Sequence, residues 1–469
     1  MERKNAWESY SSTELKKVFA FAEEYRSFLS DCKTERECTA FFVEKAKAAG
    51  FLELGEVIDK KKKLKAGDKV YATNYGKAIA CFVIGKEPME KGINILGAHI
   101  DSPRMDIKQN PLYEDTQLAL LDTHYYGGVK KYQWVTLPLA LHGVIAKKDG
   151  KVVEVCIGEK DDDPVFGVTD LLIHLAEEQL KKTGNKVVEG EALDVLVGSQ
   201  PLKIAANAKD KDQEKKEPVK ENILKLLKKM YNIEEEDFLS AELEVVPAGK
   251  ARDFGFDRSM IMGYGHDDRS CAYPSFAALL DAGTPKRTAA CLLVDKEEIG
   301  SVGATGMHSR FFENAVAELM SAAGQYTSDI SVRRAFEKSK ALSSDVSAAF
   351  DPSYASVFEK KNCAYLGRGI VFNKFTGSRG KSGSNDANAE YVGEIRRILD
   401  KHKVFFQTAE LGKVDQGGGG TIAYILGNYG MQVIDSGVAV LNMHAPWEII
   451  SKADLYEAYR CYLAFLEEA

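Results

Sequence analysis

Several familiar signatures are missing from this sequence, and each absence removes a class of protein. Eight cysteines are spread over 469 residues without one C-x-x-C pair. No thiolate zinc knuckle or dense disulfide framework is therefore expected. No run reaches about 18 apolar residues, so no helical membrane span is expected. The opening MERKNAWESYSSTELKK has no apolar core and no small-residue cleavage site, so no secretory signal is expected either. A basic excess is also missing. Lys+Arg number 63 against 70 Asp+Glu, a formal charge of −7, which argues against a binder of nucleic-acid backbones. H-E-x-x-H and G-x-S-x-G are absent, and no G-x-G-x-x-G follows a strand. Gly380-Lys381-Ser382 ends like a P-loop, but Phe375 stands where its first glycine belongs.

What is present is an ordinary globular composition, 45% hydrophobic and 28% charged. The length supplies roughly three domains' worth of chain. Ser11-x-x-Glu14 and Thr34-x-x-Glu37 are capping-box patterns ahead of helical runs, and Gly50 suits a helix end. Residues 78–85 (AIACFVIG) and 93–102 (INILGAHIDS) are apolar runs of strand length. Between 106 and 200 the chain turns to short β-like runs, such as KVVEVCIG and ALDVLVG. Residues 206–217 read as an exposed charged loop, ENILKLLKKMYNI as a helix and SAELEVVPAG as a strand. From about residue 255 an α/β pattern returns: SFAALLDAG, AACLLVDKEEIGS, NAVAELMSAAG, GVAVLNMHAPWEI and the amphipathic tail. The expected architecture is an α/β domain over 1–104 and 254–469, interrupted by a β-rich insert over 105–253. The cysteines fall mostly in apolar runs and read as core thiols, which fits a reducing, cytoplasmic compartment.

Acids and imidazoles gather where apolar runs end. His99 and Asp101 lie in GAHIDSPR, Asp267 and Asp268 in YGHDDRS, and Glu297 and Glu298 in LLVDKEEIGS. Asp345 lies in SSDVSAAFDP and His444 in LNMHAPWE. In open α/β sheets, ligands collect at the carboxyl ends of strands. Imidazole with carboxylate suits Zn²⁺, and also Mn²⁺ or Co²⁺. A shared carboxylate can hold two ions about 3.5–4 Å apart, and a further one can act as general base. Each residue also has a plain structural reading. Asp267-Asp268 can cap a helix, Glu297-Glu298 can be a solvated turn, and a single histidine can sit satisfied in a core. Spacing between distant segments does not establish that they converge.

Taken in order, GAHIDSPR, the DDR segment, VDKEEIGS, SDVSAAFDP, GGGGTIAYIL and NMHAPWE resemble the aspartyl aminopeptidase family, family eighteen of the metallopeptidases, over nearly the whole chain. Tetrahedral deblocking aminopeptidases share the DDR and EE elements. The resemblance implies a mixed-sheet catalytic domain of zinc-aminopeptidase type, with the insert serving dimerisation. It implies two Zn²⁺ ions, with Mn²⁺ or Co²⁺ as substitutes. His99 and Asp345 would hold one ion, Glu298 and His444 the other, and Asp267 would bridge, with Asp268 in that place if the register shifts by one. Glu297 would be the general base and Asp101 would orient the His99 ring. In an extended segment the two adjacent glutamates would point apart. His174, in LLIHLAEEQ, would serve the substrate pocket, its own or a neighbouring subunit's. Lys374, in GIVFNKFTG, would meet an acidic N-terminal residue, with Arg379 and Lys381 behind it. After GIVF the chain reads NKFTGSRGKSGSNDAN rather than the family's K-x-N-x-N-Q-R-Y, which leaves a broader preference open. The implied partners are peptides with a free N-terminus and copies of the same chain in a tetrahedral dodecamer, with no nucleic acid and no membrane. The rivals are a deblocking aminopeptidase or carboxypeptidase on the same fold, an inactive shell-forming binding protein, and a two-metal phosphoesterase, which lacks a visible basic phosphate cluster.

Overall fold

The N-terminal helices begin where side chains close free backbone amides. Ser11 Oγ accepts from Glu14 N at 3.3 Å while Glu14 Oε2 accepts from Ser11 N at 2.7 Å. Thr34 and Glu37 repeat the exchange at 3.2 and 3.0 Å. These boxes start the helices Ser12–Asp31 and Glu35–Ala48. The second helix ends at Gly50, with φ +82°. Gly50 N donates to Lys47 O and Phe51 N to Ala46 O, both at 3.0 Å, so the last carbonyls are satisfied and Phe51 folds back into the core.

The computed structural model describes residues 3–203, 217–377 and 383–469. The segment expected as a charged loop lies almost wholly outside them, and so do Arg379 and Lys381. The chain divides into two compact units. The first is Met1–Ser102, Ala251–Met443 and Trp447–Ala469; the second is Pro103–Lys250 with His444–Pro446. The fold is mixed α/β.

The first unit is built on a nine-stranded mixed sheet. At its centre Thr288–Val294, Ile93–His99, Lys340–Ser344 and Gln432–Gly437 run parallel, in that spatial order. Ala78–Val83 and Ile370–Asn373 flank them antiparallel. Alternate residues feed two cores. From Thr288–Val294, Ala289, Cys291 and Leu293 join the helices Ser12–Asp31, Glu35–Ala48, His266–Asp281 and Lys452–Glu468. Ala290, Leu292 and Val294 join Phe311–Ala322 and Asp329–Glu337 on the other face. Helices on both faces explain why these strands read as unbroken apolar runs. With both faces covered, strand ends are where polar chemistry can sit.

The second unit holds a seven-stranded sheet. Its order is Val152–Ile157, Leu139–Ala146, Ala241–Pro247, Arg104–Asp115, Leu118–Tyr126, Val195–Gly198 and Gly167–Val168, and every neighbouring pair is antiparallel. Among the described residues no helix is long and apolar enough to cross a membrane.

Candidate metal centre

Three neighbouring parallel strands deliver acids and an imidazole from one end of the sheet. His99 closes Ile93–His99, Glu297 and Glu298 follow Thr288–Val294, and Asp345 follows Lys340–Ser344. Asp267 and Asp268 open the helix His266–Asp281, but neither has helical φ/ψ. Both side chains reach His99: Asp267 Oδ1 lies 3.2 Å from its Nε2, and Asp268 Oδ2 accepts from its N at 3.4 Å.

His99 is the hub of the cluster, and it is 1% exposed. Its Nδ1 lies 3.0 Å from the Asp101 carbonyl and 3.3 Å from Asp101 Oδ1. With Nδ1–H donated there, the lone pair is on Nε2. Nε2 faces Asp267 Oδ1 at 3.2 Å and Glu297 Oε2 and Asp345 Oδ1 at 3.9 Å each. A lone pair aimed at carboxylates is repulsive unless a proton or a metal cation stands between them. Burial opposes charge on this ring, but Asp101, Asp267 and Asp345 together hold its pKa well above the usual imidazole value. His266, next to Asp267, is the contrasting case. Its nitrogens meet Tyr25 Oη at 2.8 Å and Ile261 O at 3.2 Å, and burial pushes its pKa down to about 3. It is a satisfied core histidine.

The glutamates sit in a 3₁₀ turn, Glu297–Ile299, rather than in extended chain. Lys296 at φ +71° and Gly300 at φ +96° force the reversal, and Ser301 N closes it on Lys296 O at 2.7 Å. The Asp101 carboxylate accepts from Glu297 N and Glu298 N at 3.2 Å each. One side chain therefore aligns both the imidazole and the glutamate turn. Burial and the nearby Asp345 push the Glu297 carboxyl up to about 8, with His99 opposing. Burial likewise raises Asp268 well above the carboxylate range, with His99 opposing; its Oδ2 accepts from His99 N at 3.4 Å.

Ligand atoms of His99, Asp267 and Glu298 all lie within 4.8 Å of one another, and so do those of His99, Asp268 and Asp345. One imidazole nitrogen among several carboxylates is a donor set that zinc accepts. The residues therefore fit a metal.

The remaining expected residues are not members of these two groups. His444 belongs to the second unit, where its Nδ1 lies 2.9 Å from Gly128 O. This fixes the same tautomer as in His99. His174 is exposed in the 3₁₀ turn Ile173–Leu175. Lys374 forms an ion pair with Asp386. The strand before it pairs Phe372 with Ser436 and Asn373 with Asp435, so the chain there heads away from the carboxyl ends of the parallel strands.

Three supporting residues carry no recognised signal in the sequence. Glu448 Oε2 accepts from Asp267 N at 3.1 Å. Ser102 Oγ donates to Asp267 O at 2.7 Å, and Arg269 Nη2 donates to Ser102 Oγ at 2.9 Å. All three are buried. Ser102, Arg269 and Glu448 do lie inside the motifs SPR, DDR and APWE, which was the available hint.

A doubly covered α/β sheet with this donor set at its strand ends defines a metal-dependent hydrolase. The profile of the aminopeptidase I zinc metalloprotease (M18) family matches residues 28–466. A probable M18 family aminopeptidase 1 of Clostridium acetobutylicum is 63% identical over 465 residues, covering 99% of this chain and 98% of that one. The crystal structure of an M18 aminopeptidase from Thermotoga maritima matches with a TM-score of 0.93 at 44% identity, covering 100% of both chains. Aminopeptidase I from C. acetobutylicum matches at 0.91 and 62% identity, covering 100% of this chain and 99% of that one. The chain belongs to the M18 family of zinc metalloproteases. It is an aminopeptidase and hydrolyses peptide bonds.

Proposed function

We propose that this aminopeptidase works through a centre of two zinc ions, with Mn²⁺ or Co²⁺ as substitutes. The convergence of His99 Nε2 with the carboxylates of Asp267, Asp345 and Glu297 carries the reading. By the family resemblance, His99 and Asp345 would hold one ion and Glu298 and His444 the other, with Asp267 shared. Asp268, whose carboxylate accepts from the His99 amide, would be the alternative shared ligand. When bound, zinc polarises the scissile carbonyl and acidifies water. Glu297 takes the proton of the attacking water and returns it to the leaving amine. Asp101 keeps the His99 tautomer and the glutamate turn in place. A carboxylate of the cluster receives the substrate's free α-amine.

The preferred N-terminal residue is read as broad rather than strictly acidic. The Asp386 carboxylate already balances the Lys374 charge. The test is an assay with chelated enzyme given back Zn²⁺, Mn²⁺ or Co²⁺. Asp-, Glu-, Leu-, Met- and Ala-linked chromogenic amides are compared with their N-acetylated forms. Metal-dependent cleavage of the free-amine forms alone is expected. Cleavage of the acetylated forms, or no cleavage with any metal, overturns the reading.

The second unit serves self-association. Leu171, Leu172, Ile173, Leu175 and Leu180 are 46–68% exposed around His174, an apolar stretch suited to another copy of the chain. The S. cerevisiae mApe1 structure, of the same fold, is a dodecamer. A tetrahedral dodecamer is proposed here too, with His174 reaching a neighbour's substrate pocket. Light scattering should give a large species, and Ile173→Glu a smaller one. The eight free thiols, seven of them buried, suit work in the cytoplasm.

A further inference from the structure

The strand Gln432–Gly437 carries a buried acid that the catalytic reading does not use. Asp435 is 3% exposed. Its neighbour Ser436 pairs with Ser344, and the carbonyl of Ser436 accepts from Asp345 N at 3.0 Å. Asp435 therefore lies one strand away from the chain that presents Asp345.

Its carboxylate gathers three donors from two separate segments. Thr421 Oγ1 donates to Oδ1 at 2.5 Å. Asn385 Nδ2 and Thr376 Oγ1 donate to Oδ2 at 3.0 and 3.3 Å. The two segments are also joined directly, because Gly377 N donates to Gly419 O at 2.7 Å. These ties fall within and just after Gly417–Gly420, four residues without side chains. Ile422, just beyond Thr421, rests on the strand that ends in His99. A Cβ on Gly97 would lie 3.2 Å from Ile422 Cδ1.

A glycine run has more backbone freedom to lose than any other sequence. Left untied, it would not hold one path. Here it is held at Thr421 and at Gly419, and Gly418, Gly419 and Gly420 are exposed. Bare backbone tied to the strand next to the one that leads to Asp345 lets another backbone approach closely, with peptide groups available to pair with it.

We propose that Asp435 is a positioning residue for the substrate: by gathering Thr421, Asn385 and Thr376 it fixes the Gly417–Gly420 run as a backbone wall along which the peptide lies. This rests on the metal-centre reading above. Asp435 touches neither the substrate nor the ligands, so its influence falls on KM more than on kcat.

The experiment uses the full-length, zinc-loaded enzyme as wild type, Thr421→Val, Thr421→Ser and Asp435→Asn, on a tripeptide bearing the best-cleaved N-terminal residue. Thr421→Val keeps the side-chain shape and removes the hydroxyl. It should raise KM about tenfold, the scale of one hydrogen bond to a charged group, with kcat within about twofold. Thr421→Ser, which keeps the hydroxyl, should return KM to near the wild-type value. Zinc content per subunit should not change. Asp435→Asn should raise KM further; if it fails to fold, the Thr421 pair decides alone. An unchanged KM in Thr421→Val overturns the inference. So does a fall in kcat accompanied by loss of zinc, which would mean that Asp435 acts through Asp345. A wild type without metal-dependent cleavage overturns the metal-centre reading itself, a result distinct from active wild type with an indifferent Thr421→Val.

Discussion

Strands Ile93–His99 and Thr288–Val294 are buried at every residue, whereas Leu118–Tyr126 and Val152–Ile157 alternate between buried and open positions. The first pair lies in a sheet with helices on both faces; the second lies in an antiparallel sheet. In those two first-unit strands no residue presents a side chain to solvent. Their chemistry is pressed to the carboxyl ends, where parallel strands stop side by side, and several acids meet one imidazole within a few ångströms. In the second unit Leu118–Tyr126 and Val152–Ile157 each offer an open row along their length. Polar and apolar groups are spread over a surface there, which is what recognition of another molecule uses. One arrangement concentrates groups and the other distributes them.

That contrast can be broken most sharply at the strand ends. Glu297→Gln keeps the shape of the turn and removes the proton acceptor. It should lower kcat by about 10²–10⁴-fold with zinc retained; stopped assays with metal analysis check this, and a fall below tenfold would move the base elsewhere. The strands should differ in stability. Leu292→Ala, deep between helices and sheet, should cost about 2–5 kcal/mol. Val152→Ala, 61% exposed on the antiparallel sheet, should change stability by about 0.5 kcal/mol or less. Denaturant midpoints measure both, and equal losses would erase the distinction. Asp101→Asn touches no proposed reacting atom but loosens both His99 and the glutamate turn. Zinc affinity should fall about 10–100-fold, read by competition with a chelating dye. The smallest effect is expected at Lys374. Because Asp386 already balances it, Lys374→Ala should alter the Asp-to-Leu rate ratio by less than about twofold. Surface pairs of this kind carry little energy. A tenfold fall in that ratio would instead give Lys374 the specificity pocket.

Local signals in the sequence carried much of the fold. Both capping boxes formed, Gly50 ended its helix, and the apolar runs at 78–85 and 93–102 became sheet strands. These features depend on neighbours a few residues apart, so the sequence pattern contains them. The acids at strand ends were visible as residue types in a suggestive place. The turn at Glu297 was not, because the left-handed Lys296 that creates it is no habitual turn former. Asp435 was missed for a different reason. Its partners stand at 376, 385 and 421, and only tertiary structure assembles them. An acid inside an apolar strand was the one available hint, since a buried carboxylate needs donors from somewhere.

One helix terminus has a consequence for how the chain was put together. Arg269, whose Nη2 holds Ser102, also donates from Nη1 to Cys32 O at 2.7 Å. Ala251 N donates to Ser30 Oγ at 3.1 Å. The points where the chain departs at Ser102 and returns at Ala251 are thus moored within two residues of each other, at the end of Ser12–Asp31. Seen from the first unit, everything from 103 to 250 is a loop whose mouth is already closed. The entropy of closing a loop grows only with the logarithm of its length, about 0.6 kcal/mol per doubling. A mouth of that kind tolerates exchange of its contents. Modules of very different size could be spliced between Ser102 and Ala251, or the segment trimmed to a short linker, with little penalty to the sheet that bears His99.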